Sequence, residues 1–270
     1  MKVSIVGLGW LGEPLAAHLL RRGLKVKGST TTPEKIGKLS EKGIMAYPFF
    51  LGPEPAGDGW EPLFETDVMV INIPPHFRSH PSSYHIQQIK ALRLLIDQAK
   101  VPKVIFVSAT SVYPDLNQEA QESDWLDFES AGNPGLLQAE NLLRTDRGYD
   151  LTVLRLGGLL GDDRIPGLYV SGKDNVLGHP PVNYIHRQDA VRLIEWLIEK
   201  ALWNDTYNGV TPWHPSRRKV YEKNAADLGF APPSSYQDPP LDPWKKVSSQ
   251  KILQTGFDFL YHPLHFPYII

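Results

Sequence analysis

The sequence predicts an α/β fold, a doubly wound parallel sheet with a smaller C-terminal lobe. Strand-like and helix-like segments alternate through the first half of the chain, which is typical of a parallel sheet covered by helices on both faces. The segments Val68–Ile73 and Lys103–Val107 are apolar almost throughout, as strands buried on both faces are. A glycine-rich loop also follows the first strand.

The composition is that of an ordinary globular protein. The 270 residues include 28 basic and 30 acidic side chains, with a formal net charge of −2. This balance argues against nucleic-acid or membrane-surface partners, since both need an excess of basic residues. The lack of cysteine excludes disulfides, thiolate catalysis and zinc–sulfur sites. No segment has the roughly 20 apolar residues of a membrane span, so we expect a cytoplasmic protein.

The first βαβ unit is clear in the sequence. Lys2–Val6 is a short strand that ends at Gly7, and leucines then recur at helical spacing until Gly23. Lys25–Ser29 is the second strand. The segment Thr31-Thr32-Pro33-Glu34 has the pattern of a capping box, which predicts that Thr31 caps the next helix.

The remaining elements continue the alternation. They are the strands Ile44–Phe50 and Val68–Ile73, the helix Tyr84–Lys100, the strand Lys103–Val107, the helix Leu136–Leu143 and the strand Leu151–Leu156. Beyond these, proline, glycine and aromatic residues become frequent, and only Ala190–Leu202 and Val220–Leu228 have clear helical patterns. We expect residues 1–157 to form the sheet domain and residues 158–270 a smaller lobe interleaved with the sheet. The aromatic C-terminus either packs on the body or forms a dimer contact.

The loop after the first strand has the pattern G-x-G-x-x-G and opens a helix, which is the context of a Rossmann-like dinucleotide site. Gly7 permits a tight turn, Gly9 lets the backbone approach a pyrophosphate, and Gly12 lets helix and strand pack closely. The free N–H groups at the helix start, around Trp10 and Leu11, then hold the phosphates. The sequence therefore predicts a bound nicotinamide dinucleotide.

The end of the second strand favours NADP over NAD. An NAD site usually carries an acidic residue there, which binds the ribose hydroxyls, but this sequence reads Ser29, Thr30 and Thr31 and has no acid before Glu34. Hydroxyl groups accept a 2′-phosphate that a carboxylate would repel, although NAD stays possible. Further predicted cofactor contacts lie at the ends of later strands, namely Ile73, Pro74 and Ser108.

Several segments resemble extended short-chain dehydrogenases/reductases, the NAD-dependent epimerase/dehydratase family. The segments are VIFVSATSVY (104–113), LRLGGLLG (154–161), VNYIHRQD (182–189) and residues 246–257. The sequence is most similar to small atypical members that open with GLGWLG. The resemblance implies a small-molecule substrate, which the sequence does not identify. It also implies a homodimer that pairs through two long helices, here Tyr84–Lys100 and Leu136–Arg147.

The resemblance covers the cofactor half of the family pattern and departs from the catalytic half. The family uses a Ser-Tyr-Lys set, in which tyrosine is the acid/base, lysine lowers its pKa and serine orients the substrate. The corresponding positions here are Ala109, Gly132 and Leu136. The literal Tyr-x-x-x-Lys pair at Tyr169 and Lys173 lies in a loop, and we interpret it as coincidence.

Residues near the missing set are candidates to replace it. Thr110 and Tyr113 follow the strand Lys103–Val107, and Tyr113 is the best replacement acid by its chemistry, although packing under the small lobe is an alternative. We expect Arg155, within a strand, to pair with Asp189 or Glu140. The histidine groups, at His76, His80 and His85 and at His262 and His265, lack metal-ligand spacing, so we expect no metal site.

Two hypotheses remain open from the sequence. The first is an NADP-dependent oxidoreductase or epimerase with a rearranged proton donor. The second is a non-catalytic dinucleotide-binding sensor or partner protein. The Gly/Pro-rich second lobe, which suggests a ligand cleft, favours the first hypothesis. The replaced positions Ala109, Gly132 and Leu136 favour the second, because carbonyl reduction needs a proton donor within hydrogen-bond reach.

Overall fold

The computed structural model describes residues 1–75, 81–238 and 242–269. Within these ranges the strands are β1 (Lys2–Val6), β2 (Lys25–Thr30), β3 (Met45–Pro48), β4 (Val68–Ile71), β5 (Lys103–Ala109), β6 (Gln118–Ala120), β7 (Asp150–Leu156), β8 (Gly158–Leu160), β9 (Tyr184–His186), β10 (Thr206–Gly209) and β11 (Lys245–Val247). The α-helices are α1 (Gly12–Arg21), α2 (Lys35–Glu41), α3 (Ser82–Ala99), α4 (Pro134–Arg144), α5 (Arg187–Glu199), α6 (Arg217–Leu228) and α7 (Gln250–Leu253).

The central sheet has seven strands in the order β3-β2-β1-β4-β5-β7-β10. Every neighbouring pair in it is parallel. The strand order reverses between β1 and β4, and open α/β sheets bind ligands at such a switch point, beyond the carboxyl ends of the strands. The predicted fold class, a doubly wound parallel sheet, is confirmed.

Two hydrophobic layers cover the sheet. Helices α1 and α5 pack on one face through residues such as Leu15, Leu19 and Leu193. Helices α3 and α4 pack on the other face, where Ile89 and Leu92 lie in the core. Strand β4 is buried along its whole length, which explains why its sequence has no polar alternation.

The start of α2 differs from the prediction. The helix begins at Lys35, its N-cap residue is Glu34, and no side chain makes a capping hydrogen bond. Thr31 therefore does not cap this helix, because the chain makes a turn at residues 32–34 before the helix starts. The Thr31 hydroxyl therefore does not cap α2 and stays available for a ligand at the end of β2.

The second half of the chain contributes to the sheet as well as to the lobe. Strand β10, which the sequence did not predict, extends the sheet beside β7, and α5 packs against α1. The lobe contains two small parallel sheets, formed by β8 with β9 and by β6 with β11. The loss of a clear pattern after residue 157 therefore coincides with short strands, and the predicted division at this residue stays a prediction.

The aromatic C-terminal segment packs on the body, the first of its two predicted alternatives. Asp189, wholly buried at the start of α5, accepts hydrogen bonds from the backbone N–H groups of Leu260 and Tyr261 at 3.1–3.2 Å. Phe257 and Phe266 are buried. No helix in the described ranges is long and apolar enough to cross a membrane.

Candidate functional site

A cleft of about 460 Å³ opens at the carboxyl ends of β1, β2 and β4. The glycine loop, the end of β2, the chain after β3 and the start of α3 form its walls. Seven of the predicted cofactor residues line this cleft, namely Gly7, Gly9, Ser29, Thr30, Thr31, Ile73 and Pro74. The structure therefore brings together residues from three separate strand ends.

The three glycines of the loop have different surroundings. Gly7 has a φ of +106°, and a Cβ there would lie 2.4 Å from the carbonyl oxygen of Asn72. A Cβ on Gly12 would lie 2.1 Å from the carbonyl oxygen of Gly7. A Cβ on Gly9, in contrast, would meet nothing within 4 Å. Gly7 and Gly12 are thus needed for packing, whereas Gly9 faces the open cleft.

The loop presents backbone donors without protein acceptors. Over the described residues, no hydrogen bond from the N–H groups of Gly9, Trp10, Leu11 or Gly12 to a protein acceptor is present, whereas Leu8 N donates to Ser29 O at 2.7 Å. These N–H groups lie at the start of α1, where the helix dipole adds positive potential. Such an arrangement binds phosphate groups.

The end of β2 is polar and free of carboxylates. Ser29 accepts a hydrogen bond from Gly7 N through its hydroxyl, at 2.9 Å, and so supports the loop. Thr30 accepts from Thr32 N at 3.1 Å. Thr31 and Lys35 are exposed and line the cleft, and the lining residues include no acidic side chain. Lys27, on β2, donates to the Pro62 carbonyl.

Several residues that line the cleft were not predicted from the sequence. Phe49, Phe50 and Leu51 form the wall beyond β3, and Asn72 donates to the Gly7 carbonyl at 3.1 Å. Asn72 could have been predicted from the sequence, because a single amide side chain at the end of an apolar strand lies at the ligand-binding edge of a parallel sheet. The residues after β3 could not have been predicted, since their position in the cleft wall depends on the path of the chain between β3 and β4.

Four predicted cofactor residues lie outside the cleft lining, namely Trp10, Leu11, Gly12 and Ser108. The indole of Trp10 turns to the second lobe and donates to Asp163 at 2.8 Å. The Leu11 side chain is buried, so both residues would reach a ligand through their N–H groups. Ser108 is buried and donates to Glu140 at 2.6 Å. Its predicted role at the nicotinamide stays a prediction.

Of the positions that the resemblance assigns to the Ser-Tyr-Lys set, Gly132 has no room for a side chain. A Cβ on Gly132 would lie 2.4 Å from the Tyr113 carbonyl oxygen and 2.6 Å from that of Ser111. Leu136 is buried in the core, and Ala109 is half-buried at the end of β5. The absence of the Ser-Tyr-Lys set stays a prediction, and Tyr169 and Lys173 lie exposed in the lobe.

Tyr113, the predicted replacement acid, is enclosed by the protein. Its side chain is wholly buried, and its hydroxyl donates to Asn208 and accepts from Arg155, both at 2.9 Å. Burial raises the pKa of Tyr113, against the opposing effect of the Arg155 charge. Both partners of the hydroxyl are therefore protein groups, and its predicted role as proton donor stays a prediction. Thr110 is also buried and starts a short 3₁₀ helix, so neither catalytic assignment gains support.

Arg155 pairs with Glu140, one of its two predicted partners. The Nε and NH2 groups of Arg155 donate to the two carboxylate oxygens at 3.1 and 2.7 Å. Asp189, the other candidate, pairs with Arg192 at 2.7 Å. Both Glu140 and Arg155 are buried, so this ion pair fixes α4 against the sheet rather than contacting a ligand.

The histidines of the described ranges form no metal centre. No group of three or more potential metal ligands occurs there, and His76 and His80 lie outside the described residues. His186 is buried, and its Nδ1 accepts a hydrogen bond from Gln188 N at 3.2 Å. Its ring stacks on Tyr261 with 4.0 Å between ring centroids. Burial lowers the pKa of His186 to about 4.

Comparisons with known proteins agree with this architecture. Residues 2–51 match the family model of the NAD-binding domain of 6-phosphogluconate dehydrogenase. Protein YeeZ from Escherichia coli strain K12 is 33% identical, and the match covers 98% of both chains. The matched residues 2–51 contain the glycine loop and the end of β2.

Solved structures share the whole fold. Yeast methylglyoxal/isovaleraldehyde reductase Gre2, complexed with NADPH, has a TM-score of 0.76 at 15% identity, covering 97% of this chain and 95% of that chain. Human epimerase family protein SDR39U1, with NADPH, has a TM-score of 0.71 at 20% identity, covering 96% of this chain and 95% of that chain. The chain thus has the fold of short-chain dehydrogenase/reductase and epimerase proteins.

Proposed function

This chain belongs to the family of Protein YeeZ, and we propose that it binds NADP(H) and acts as an oxidoreductase or epimerase on a small molecule without the usual Ser-Tyr-Lys set. The cleft at the glycine loop carries this proposal. It joins unpartnered N–H groups at the start of α1 to the hydroxyl of Thr31 and the ammonium group of Lys35.

The two halves of this cleft suit the two phosphate positions of NADP. The N–H groups of residues 9–12 would bind the pyrophosphate. Thr31 and Lys35 would bind the 2′-phosphate, since no carboxylate in the cleft lining opposes it. The structural relatives Gre2 and SDR39U1 are complexes with NADPH, which supports the same cofactor class. Bound NADPH would supply the hydride, and the proton would come from solvent rather than from Tyr113.

Calorimetric titration of the purified protein with NADPH, NADP, NADH and NAD tests the proposal. We expect NADPH to bind at least about tenfold more tightly than NADH, because the 2′-phosphate gains charge-assisted hydrogen bonds. Thr31→Asp should remove this preference by placing a carboxylate against the phosphate, with NADH affinity unchanged. Ser40→Asp, which adds the same charge to an exposed site on α2 outside the cleft, is the matched control. No heat signal with any of the four ligands would refute the proposal.

A non-catalytic sensor is the second candidate function. It is favoured by the closed surroundings of Gly132 and by the burial of Tyr113. An oxidoreductase should oxidise bound NADPH when small aldehydes or ketones are added, measured by the loss of NADPH absorbance. A sensor should leave NADPH intact and change its shape or oligomeric state between the two redox forms, measured by analytical ultracentrifugation.

A further inference from the structure

The second lobe places two arginines on the tryptophan of the glycine loop. The guanidinium of Arg164 lies 4.0 Å from the centre of the Trp10 ring, and that of Arg187 lies 4.5 Å from it. Asp163 accepts the indole N–H at 2.8 Å. The loop between β8 and β9 is thereby fixed directly over the glycine loop.

The charges around Trp10 leave Arg164 without a carboxylate partner. Arg187 is ion-paired with Asp162, and Glu13, in the first turn of α1, is paired with Lys42 at 2.6 Å. Among the ion pairs of residues 1–75, 81–238 and 242–269, none includes Arg164. Asp163 holds the indole N–H and is exposed, so solvent screens its charge.

Arg164 is held in place by local structure. A tight turn joins Gly161 and Arg164 through two backbone hydrogen bonds, Arg164 N to Gly161 O at 2.9 Å and Gly161 N to Arg164 O at 3.4 Å. Stacking on the indole fixes the guanidinium plane, and such cation–π contacts leave the N–H groups free to bind an anion. Arg164 is half-buried.

We propose that Arg164 binds the pyrophosphate of the dinucleotide, so that the second lobe completes the phosphate site which the glycine loop begins. Trp10 carries one of the backbone donors of residues 9–12 and the ring on which the Arg164 guanidinium lies, and Arg164 has no ion-pair partner within the described ranges. A diphosphate carries two negative charges, and a planar guanidinium is suited to bind them. This inference rests on the proposed function and adds a residue outside the family's glycine loop.

The test separates the pyrophosphate from the rest of the cofactor. Calorimetry compares NADPH with 2′-AMP, which keeps the adenosine 2′-phosphate and lacks the diphosphate. Arg164→Met retains a long apolar side chain on Trp10 but removes the charge. It should weaken NADPH binding about tenfold or more and leave 2′-AMP binding unchanged. Arg164→Lys, which keeps the charge, should lose only a few-fold, and Arg21→Met, an exposed arginine at the end of α1, is the control.

The outcomes distinguish the two proposals. The proposed role of Arg164 is wrong if Arg164→Met binds NADPH as tightly as the wild-type protein does. It is also wrong if the variant loses affinity for NADPH and for 2′-AMP to the same extent. In both cases the cofactor proposal stands, because the wild-type protein binds NADPH. If the wild-type protein binds neither ligand, both fall together. Should Arg164→Met fail to fold, Arg164→Gln serves the same comparison, with thermal unfolding as the check of its integrity.

Discussion

At the scale of single residues, the glycine loop shows how one repeated residue type serves two different purposes. Gly7 and Gly12 are required because the backbone of Asn72 and of Gly7 itself comes within 2.4 and 2.1 Å of where a Cβ would stand. Gly9 has open space instead. A motif that looks uniform in sequence therefore contains two glycines that packing requires and one, Gly9, that borders the open cleft.

This division makes a testable difference between two alanine variants. Gly9→Ala should fold with unchanged thermal stability and bind NADPH at least about tenfold more weakly, because the new methyl group occupies the path of the pyrophosphate. Gly12→Ala should lose about 1–3 kcal/mol of unfolding free energy through overpacking. Thermal unfolding and calorimetry on both variants check this. Equal stability losses would contradict the assignment.

At the scale of elements, a buried polar network joins α4 to β5, β7 and β10. Glu140 on α4 receives hydrogen bonds from Ser108 on β5 and Arg155 on β7. Arg155 in turn reaches the Tyr113 hydroxyl, which donates to Asn208 on β10. Because these groups are buried and satisfied, each holds the others in register.

Tyr113→Phe tests whether this network is structural. Removing the hydroxyl leaves Arg155 and Asn208 each without one buried partner, so we expect a loss of about 1–3 kcal/mol of unfolding free energy. NADPH affinity and any turnover should stay unchanged. Denaturant unfolding and calorimetry measure both effects. A large fall in turnover without a loss of stability would restore Tyr113 as the proton donor.

His186, between β9 and α5, gives the fold a predictable response to acid. Its pKa is lowered by burial to about 4, below the value near 6.5 of an unfolded chain. The unfolded state therefore binds more protons between these pH values, and stability falls as the pH drops from about 6.5 towards 4, by up to about 3 kcal/mol. Burial also lowers the pKa of His214, with the same sign.

Equilibrium unfolding at a series of pH values checks this response. His186→Asn keeps an acceptor that can cap α5 but removes the titrating ring. Its unfolding free energy should be lower at neutral pH, through the lost stacking on Tyr261, and should change less with pH. An unchanged slope between pH 6.5 and 4 would show that His186 does not titrate on unfolding.

At the scale of the whole molecule, the sheet and the lobe depend on each other. Strand β10 and helix α5 come from the second half of the chain, and α5 residues such as Leu193, Ile194 and Leu197 lie in the same core as β1 and α1. The Arg164–Trp10 stack joins the lobe to the glycine loop. The sheet domain is therefore incomplete without residues beyond 157.

A fragment of residues 1–157 should consequently fail to fold cooperatively. It would lack the edge strand β10 and would expose the apolar face of α1 that α5 covers. Circular dichroism and thermal unfolding of the fragment and the full chain provide the measurement. A cooperative transition in the fragment would show that residues 1–157 are an independent domain. The predicted homodimer through α3 and α4 stays a prediction.

The sequence by itself determined the parallel sheet and the glycine loop, and it predicted the absence of the Ser-Tyr-Lys set. These depend on local patterns, namely apolar runs, glycine spacing and residue identity at Ala109, Gly132 and Leu136. The sequence did not decide whether Arg155 pairs with Glu140 or with Asp189, because it does not show which of the two carboxylates lies next to Arg155. The prediction that Thr31 caps the next helix was wrong, because the local pattern does not reveal the turn before α2.

Only the tertiary structure decided which polar groups face the cleft and which are buried. Tyr113 has the chemistry of an acid, but Arg155 and Asn208, from strands distant in the chain, enclose its hydroxyl. Arg164 becomes a candidate ligand-binding residue only in the folded chain, where it lies on Trp10 although the two residues are 154 positions apart in the sequence. Long-range packing sets the partner and the solvent exposure of a side chain, and those two properties decide whether a reactive group serves the fold or a ligand.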